Sequence, residues 1–265
     1  MRNLLKRLAR RLGLFAGVIT AVLAGFEFVI CAVVSTINVP ALFAELAKSL
    51  PPLMKDLIVQ YIGGFGPADL LAFGWAHPVA LALGAAAAIV LASRAVAGEI
   101  EAGTLELVLS HPLSRDRYFA GQVVFGLAVL VIMGAAGAAA TWLGQRVYGL
   151  SVLGPGTILA LAASFVLLQS AWFGVTLLLS VFGREAGRVA FGGFLAALLS
   201  YLAQVVGGMW HRAAFLLPYS LYTYDDPRVI LKAGGIPVRS LLVLGGIAAV
   251  CLGTAFWRFR RRDIP

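Results

Sequence analysis

The sequence predicts an all-α integral membrane protein with six transmembrane helices and both termini on the cytoplasmic side. Three observations predict it. Of 265 residues, 61% are hydrophobic and only 12% charged, whereas a soluble domain carries roughly 25% charged residues. Six apolar runs, at about 14–36, 72–93, 119–143, 156–182, 189–210 and 240–257, match the ~20 residues needed to cross a bilayer. With the N-terminus inside, inner segments hold twice as many of the 21 Lys and Arg as outer segments, the asymmetry that sets topology. No soluble stretch is long enough for a separate catalytic domain, so residues 1–265 read as one transmembrane domain of a multi-pass inner-membrane protein.

Residues 1–13 form a basic arm. Leu4, Leu5, Leu8 and Leu12 recur at helical spacing with cations on the other side, which predicts an interfacial amphipathic helix. The apolar run that follows is longer than the 7–15 residues of a signal peptide core, and it reads as a retained first span. An outer segment, 37–71, carries two short amphipathic pieces separated by Pro51 and Pro52, neither apolar enough to span. Spans three and four join through an outer turn at Gly154 and Pro155. Spans four and five join inside through residues 183–188. The outer loop 211–239 gathers Tyr219, Tyr222, Tyr224, Asp225 and Asp226; the acidic pair reads as a turn former, with weak cation binding as the alternative. Trp75, Trp142, Tyr148 and Trp210 fall at outer span ends, and Tyr118 and Trp257 at inner ones, the positions of an aromatic belt.

The net charge of +9 does not indicate nucleic-acid binding, because the cations cluster beside span ends and face lipid headgroups. Cys31 and Cys251 lie inside apolar runs and read as small fillers. His77, His111 and His211 are scattered without a Cys or acidic cluster, so no metal site is expected.

The inner loop 94–118 is the densest charged island. Taken as one helix over 97–110, it places Glu99, Gly103, Glu106 and Ser110 on a polar strip, opposite Ile100, Thr104, Leu107 and Val108. His111 and Pro112 break it, and Ser114 caps the third span. Arg94 and Glu101 share a side, within reach of a contact. By pattern alone this is a solvated connecting helix. The string AGEIEAGTLELVLSHPLSRDRYFAGQ at 97–122 also resembles the inner-loop signature of type-2 ABC exporter permeases, through Glu99, Glu101, Gly103, Thr104, Leu105, Glu106, Leu107, Leu109, Pro112, Ser114 and Arg115. Residues 259–263, Phe-Arg-Arg-Arg-Asp, resemble the family's usual ending.

That resemblance implies a coupling helix seated in a cleft of a separate ATPase subunit, with Glu99, Glu106 and the turn 114–117, including Arg117, at the contact. It also implies two ATPase subunits and a second permease, identical or related. The sequence has no G-x-x-x-x-G-K-[ST] loop, so the chain is expected to be non-catalytic and to bind no cofactor, with ATP and Mg held by the partner. The function expected is the permease subunit of an ATP-driven exporter. The alternative is a transmission subunit that drives an extracytoplasmic partner without moving solute.

Glu27, inside the first span, costs roughly 2.5–3.5 kcal/mol to insert as a charge. It reads equally as a cargo or proton contact on a central route and as a neutral carboxyl hydrogen-bonded to Gln169 or Gln204. Gln169 and Trp172 in span four, and Tyr201 and Gln204 in span five, either line that route or hold helices together. Glycines such as Gly126 and Gly134 permit close approach, within the chain or between copies.

Overall fold

A computed structural model describes residues 2–36, 51, 66–105 and 114–262. The described residues are helical, without strands, and include six helices long and apolar enough to cross a membrane. The first is α1 (Arg2–Thr36). The second is split into α2 (Pro67–Ala76) and α3 (Pro78–Ala95), followed by the short α4 (Ala97–Glu101). Then come α5 (Arg115–Val147), α6 (Pro155–Phe182) and α7 (Ala186–Met209). Two 3-10 turns (His211–Tyr219 and Leu221–Tyr224) and α8 (Pro227–Ala233) form a cap before α9 (Val238–Arg260).

The basic arm is not a separate element. It is the first third of α1, a continuous 35-residue helix about 52 Å long at 1.5 Å per residue, well beyond a ~30 Å hydrocarbon core. Leu4, Leu8 and Leu12 are buried, so the leucine stripe packs against protein. The second span starts earlier than its apolar run, at Pro67, and breaks at His77. The ring nitrogen Nδ1 of His77 accepts from Val79 N at 3.2 Å, capping α3, and Pro78 occupies a first-turn position where no amide donor is required. Most of the outer segment 37–71 lies outside the described residues.

Helix α6 is the central pillar: 67% of its most apolar window is buried, against 17% for α7 and 22% for α9. It packs on α3, α5, α7 and α9. Absent side chains let the neighbours come close. A Cβ on Gly126 of α5 would lie 2.4 Å from the Phe173 ring, and one on Gly134 2.4 Å from Val166. These two glycines therefore serve packing within the chain. Of the aromatics expected in a belt, Trp142, Tyr148, Trp210 and Trp257 are exposed, with Arg146 over Trp142 and Arg261 over Trp257. Trp75 and Tyr118 are buried in the core instead.

Replacing Gly126 with Ala must displace the buried Phe173. Overpacking of this kind costs about 1–3 kcal/mol. The thermal midpoint of Gly126→Ala in lipid discs should fall measurably. Gly187→Ala, whose added carbon meets nothing within 4 Å, should leave it unchanged or raise it. Equal midpoints for both variants would show that α5 and α6 are not in this contact.

Candidate functional site

Two polar assemblies stand out, one at each end of the bundle. The first surrounds the loop after α3. Helix α4 is only five residues long, shorter than the 97–110 helix the periodicity predicts. The reason is Gly103, whose φ of +63° is left-handed and terminates a helix in the usual way. Its amide donates to Ile100 O at 2.9 Å, and Thr104 N donates to Glu99 O at 3.0 Å. Glu106, Leu107, Leu109, Ser110, His111 and Pro112 lie outside the described residues.

Glu99 is 2% exposed. Arg7 NH2 donates to its Oε2 at 2.8 Å, Arg11 NH1 donates to its Oε1, and Thr104 Oγ1 donates to Oε2 at 2.5 Å. Its carboxylate faces into the protein and ties α1 to the loop, so any part it plays in an interface runs through position. Arg7 and Arg11 are 92 and 88 residues away in sequence, and no local pattern pairs them with Glu99. Glu101 is exposed, and its Oε2 accepts from Ala186 N at the start of α7, 2.8 Å away; that amide is its partner rather than Arg94. Gly103 is exposed, Thr104 half-buried and Leu105 buried.

Further ties complete this assembly. Ser180 of α6 accepts from Val96 N (3.3 Å) and Ala97 N (3.0 Å), and donates to Ser93 O (3.1 Å). One buried hydroxyl thereby satisfies backbone groups that the α3–α4 bend leaves without helical partners. Tyr118 OH donates to Ala95 O at 2.6 Å and accepts from Gln122 Nε2 at 2.8 Å. Ser114 caps α5, accepting from Arg117 N at 3.3 Å, as its position predicts; Arg117 is exposed. Arg115 NH1 donates to Arg262 O at 2.6 Å. The Arg262 guanidinium donates to Val181 O and, at 2.9 Å, to Gly183 O, closing the C-terminal end of α6 where the helix dipole favours a cation. Burial, then nearby Arg184 and Arg258, hold that guanidinium below its usual pKa. Asp116 pairs with Arg260 at 3.3 Å. Both described chain ends thus sit on the loop's face. Ser180, Tyr118 and Arg262 escape sequence reading because nothing local marks a hydroxyl or guanidinium as a cap for a distant helix.

The second assembly lies at the opposite end, beneath the cap 211–233. A void of 260 Å³ is lined by Phe73, Ala76 and Pro78 at the α2–α3 break, by Tyr201 and Gln204, and by cap residues including Asp225 and Arg228. Asp226 caps α8, accepting from Arg228 N at 2.9 Å, and holds the Arg228 guanidinium through both oxygens, at 2.9 and 2.8 Å. This is the turn role its pattern predicts. Asp225 is different. It is buried and accepts from Ser164 Oγ of α6 at 2.5 Å. Burial pushes its carboxyl up to about 6; the Ser164 hydrogen bond opposes this and Asp226 adds to it. Burial also raises the Tyr222 phenol.

The polar residues of the predicted route are only partly brought together. Tyr201 and Gln204 line this cleft. Trp172 is buried behind it, its ring 5.8 Å from that of Tyr222. Gln169 is fully buried in the core against Gly84. Glu27 is enclosed elsewhere, between α1, α2 and α5: Thr141 Oγ1 donates to its Oε2 at 3.3 Å, and Gly74 leaves room for the carboxyl. Its partner is Thr141, not Gln169 or Gln204. Among the described residues no cluster of His, Cys, Asp and Glu could hold a metal.

Residues 10–264 match the sequence model of the ABC-2 family transporter proteins. This covers nearly the whole chain, and the chain belongs to that family. No curated protein matches it.

Two outcomes follow from these ties. Glu99→Gln leaves Arg7 and Arg11 without their anion; because both arginines are partly exposed, the loss should be on the order of 2 kcal/mol. Amides of residues 4–12 should exchange faster with solvent, and unchanged exchange would show that α1 is held otherwise. For Asp225, the folded state keeps its proton to a higher pH than the unfolded chain. Its contribution is full below about 3.8 and is lost as pH rises through about 6. The thermal midpoint should fall across that interval by the equivalent of about 3 kcal/mol, with Asp226, Arg228 and Tyr222 as the other ionisable neighbours. Asp225→Asn should flatten the slope.

Proposed function

We propose that this ABC-2 family member is the permease subunit of an ATP-driven exporter in the cytoplasmic membrane, working with a separate ATPase. Two ATPase chains bind ATP and Mg, and two permeases, identical or related, form the transmembrane part. The loop face is the cytoplasmic one and the cap faces outward, in keeping with the excess of cations on inner segments.

The observation that carries the proposal is the convergence of ties on the loop. Within residues 93–118, Glu99 is fastened to α1, the α3–α4 bend to α6, Glu101 to α7 and Arg115 to Arg262 just beyond α9. A segment that only connected two spans would need none of these. A load applied to this loop reaches four other elements without passing through solvent-flexible chain. The exposed groups, Glu101, Gly103 and Arg117, are offered to the ATPase; Glu106, Leu109 and Pro112, outside the described residues, are assigned to the same contact from the motif alone. Buried Leu105 and half-buried Thr104 and Arg115 position that surface from behind, and exposed Ser114 caps α5 beside it.

A second reading is favoured by the exposed aromatics of the cap. Phe215 and Tyr219 are 68% and 80% exposed, suited to gripping an extracytoplasmic partner protein. In that case the same loop drives an outer partner and no solute crosses.

The test is charge reversal at Glu106 in the reconstituted complex with its ATPase. Glu106→Lys should leave the permease's thermal midpoint unchanged while ATP hydrolysis continues without transport, or loses its stimulation by cargo. Coupling at the unaltered level would remove the loop from the ATPase contact. Transport by the purified chain with no ATPase present would overturn the proposal altogether.

A further inference from the structure

The cleft beneath the cap does not end at its polar floor. A second void, of 420 Å³, runs on between α3 and α7. Four residues line both spaces: Pro78, Leu81, Tyr201 and Tyr222. The two spaces adjoin at these four side chains and differ in character. The inner part is walled by Ala82, Ala85 and Ala86 on one side and by Phe194, Ala197 and Leu198 on the other. The alanines leave a slot, and none of the described residues lining it is charged. The other end holds the carboxylate of Asp225, the Asp226–Arg228 pair and the Gln204 amide.

Among the described residues, the polar end holds three ionisable groups of the cap: Asp225, Asp226 and Arg228. Asp226 and Arg228 neutralise each other through two contacts. Asp225, 7% exposed, has the Ser164 hydroxyl as its hydrogen-bond donor, which leaves its negative charge unmatched by that bond. Beside it the rings of Tyr201 and Tyr222 meet edge to face, 5.5 Å between centroids. A carboxylate beside aromatic faces recognises an ammonium, through charge and through the ring quadrupoles. An anionic head would be repelled. An apolar slot of this size, adjoining that head site across Tyr201 and Tyr222, suits an alkyl chain; ligand pockets of roughly 300–1,000 Å³ combine apolar walls with a few placed polar groups in this manner.

We propose that the cleft binds a single-chain cationic amphiphile, its ammonium head against Asp225 and the Tyr201–Tyr222 pair and its alkyl chain between α3 and α7. This rests on the permease reading and names the substrate class of its outer site. The geometry also supplies an entry route. Helix α7 is the least covered of the six spans within the single chain, and an alkyl chain would enter along it wherever the second permease leaves that face open to the bilayer.

The experiment uses the full chain with its co-purified ATPase in lipid discs, with empty discs subtracted. The probe is dodecyltrimethylammonium carrying a photoreactive diazirine at the chain end. Labelling should saturate and map to peptides around Ala85 or Leu198. Unlabelled dodecyltrimethylammonium should compete; dodecyl sulfate, with the same chain and opposite charge, should not. Asp225→Asn should weaken binding about tenfold, the equivalent of one charge-assisted contact. Ala85→Trp, which fills the slot and leaves Asp225 in place, should abolish labelling there, and it keeps the test decisive should Asp225→Asn fail to fold. Non-saturable labelling, equal competition by dodecyl sulfate, or efficient disulfide crosslinking of Ala197→Cys between two copies would overturn the proposal, the last because a second chain would then occupy the groove. ATP hydrolysis is followed in the same discs. Coupled hydrolysis without amphiphile binding sinks this proposal alone; saturable binding with no ATPase dependence sinks the permease reading instead.

Discussion

The carboxylate of Glu99 organises the loop face. It is buried, it is charged, and it is surrounded by two arginines and a threonine hydroxyl from segments on either side of it in space. A buried carboxylate is tolerable only when its charge is matched and its lone pairs are occupied. Once Glu99 is fixed by its place after α3, Arg7 and Arg11 must come to it, and α1 must extend past the membrane far enough to deliver them. The length of α1, its leucine stripe turned to protein and the position of the loop beneath the bundle are therefore consequences of one electrostatic requirement. A second carboxylate of the loop, Glu101, takes the complementary position, with one oxygen on a helix N-terminus and the residue itself exposed.

Much of this was legible in the sequence, and the boundary between what was and what was not is physical. Hydrocarbon imposes a coarse, local rule on a spanning helix, so the six spans, the cap at Ser114 and the turn role of Asp226 followed from neighbouring residues. The helix over 97–110 did not hold because Gly103 was counted as part of a polar strip, when a glycine between Ala102 and Thr104 is also a helix stop. The basic arm merged with the first span because nothing between Arg11 and Leu14 breaks a helix; Gly13 alone does not. The burial of Glu99, the caps from Ser180 and Tyr118 and the clasp of Arg262 were illegible because each joins residues far apart in the chain. Of the polar residues inside the spans, Tyr201 and Gln204 share a helix face three residues apart and do meet at a cleft. Glu27 and Gln169 sit on other helices, whose rotation about their axes depends on packing partners such as Gly74 and Gly84 that a hydropathy profile does not reveal.

The two polar assemblies share one element. Helix α6 contributes Ser180 to the loop and Ser164 to the cleft, 16 residues apart and hence about 24 Å along the axis. Between them it is the most enclosed helix of the bundle, and glycines on α5 let it seat against its neighbours at backbone distance. No chain of hydrogen bonds runs along that interval. Gln169, midway, contributes packing over Gly84 and no described hydrogen bond.

That arrangement constrains how the two ends could communicate. No relay of side chains crosses the middle of α6, where the polar atoms of Gln169, Trp172 and Thr176 have no hydrogen-bond partner among the described residues and Ser170 bonds only back to Val166 O, and bending is opposed by a helix whose backbone groups must stay paired in hydrocarbon. What remains is motion of α6 with its packed neighbours as a unit, pivoting on ties that are individually weak. Each hydroxyl bond at its ends is worth about 1 kcal/mol net, whereas displacing Phe173 or Val166 from their glycine seats disrupts close packing over several residues. The ends can therefore exchange partners while the middle stays locked. A push on α4 would arrive at Asp225 as a displacement of Ser164, the one hydroxyl shown to donate to that carboxylate, and would alter how firmly the cleft holds a cation at the moment the loop moves.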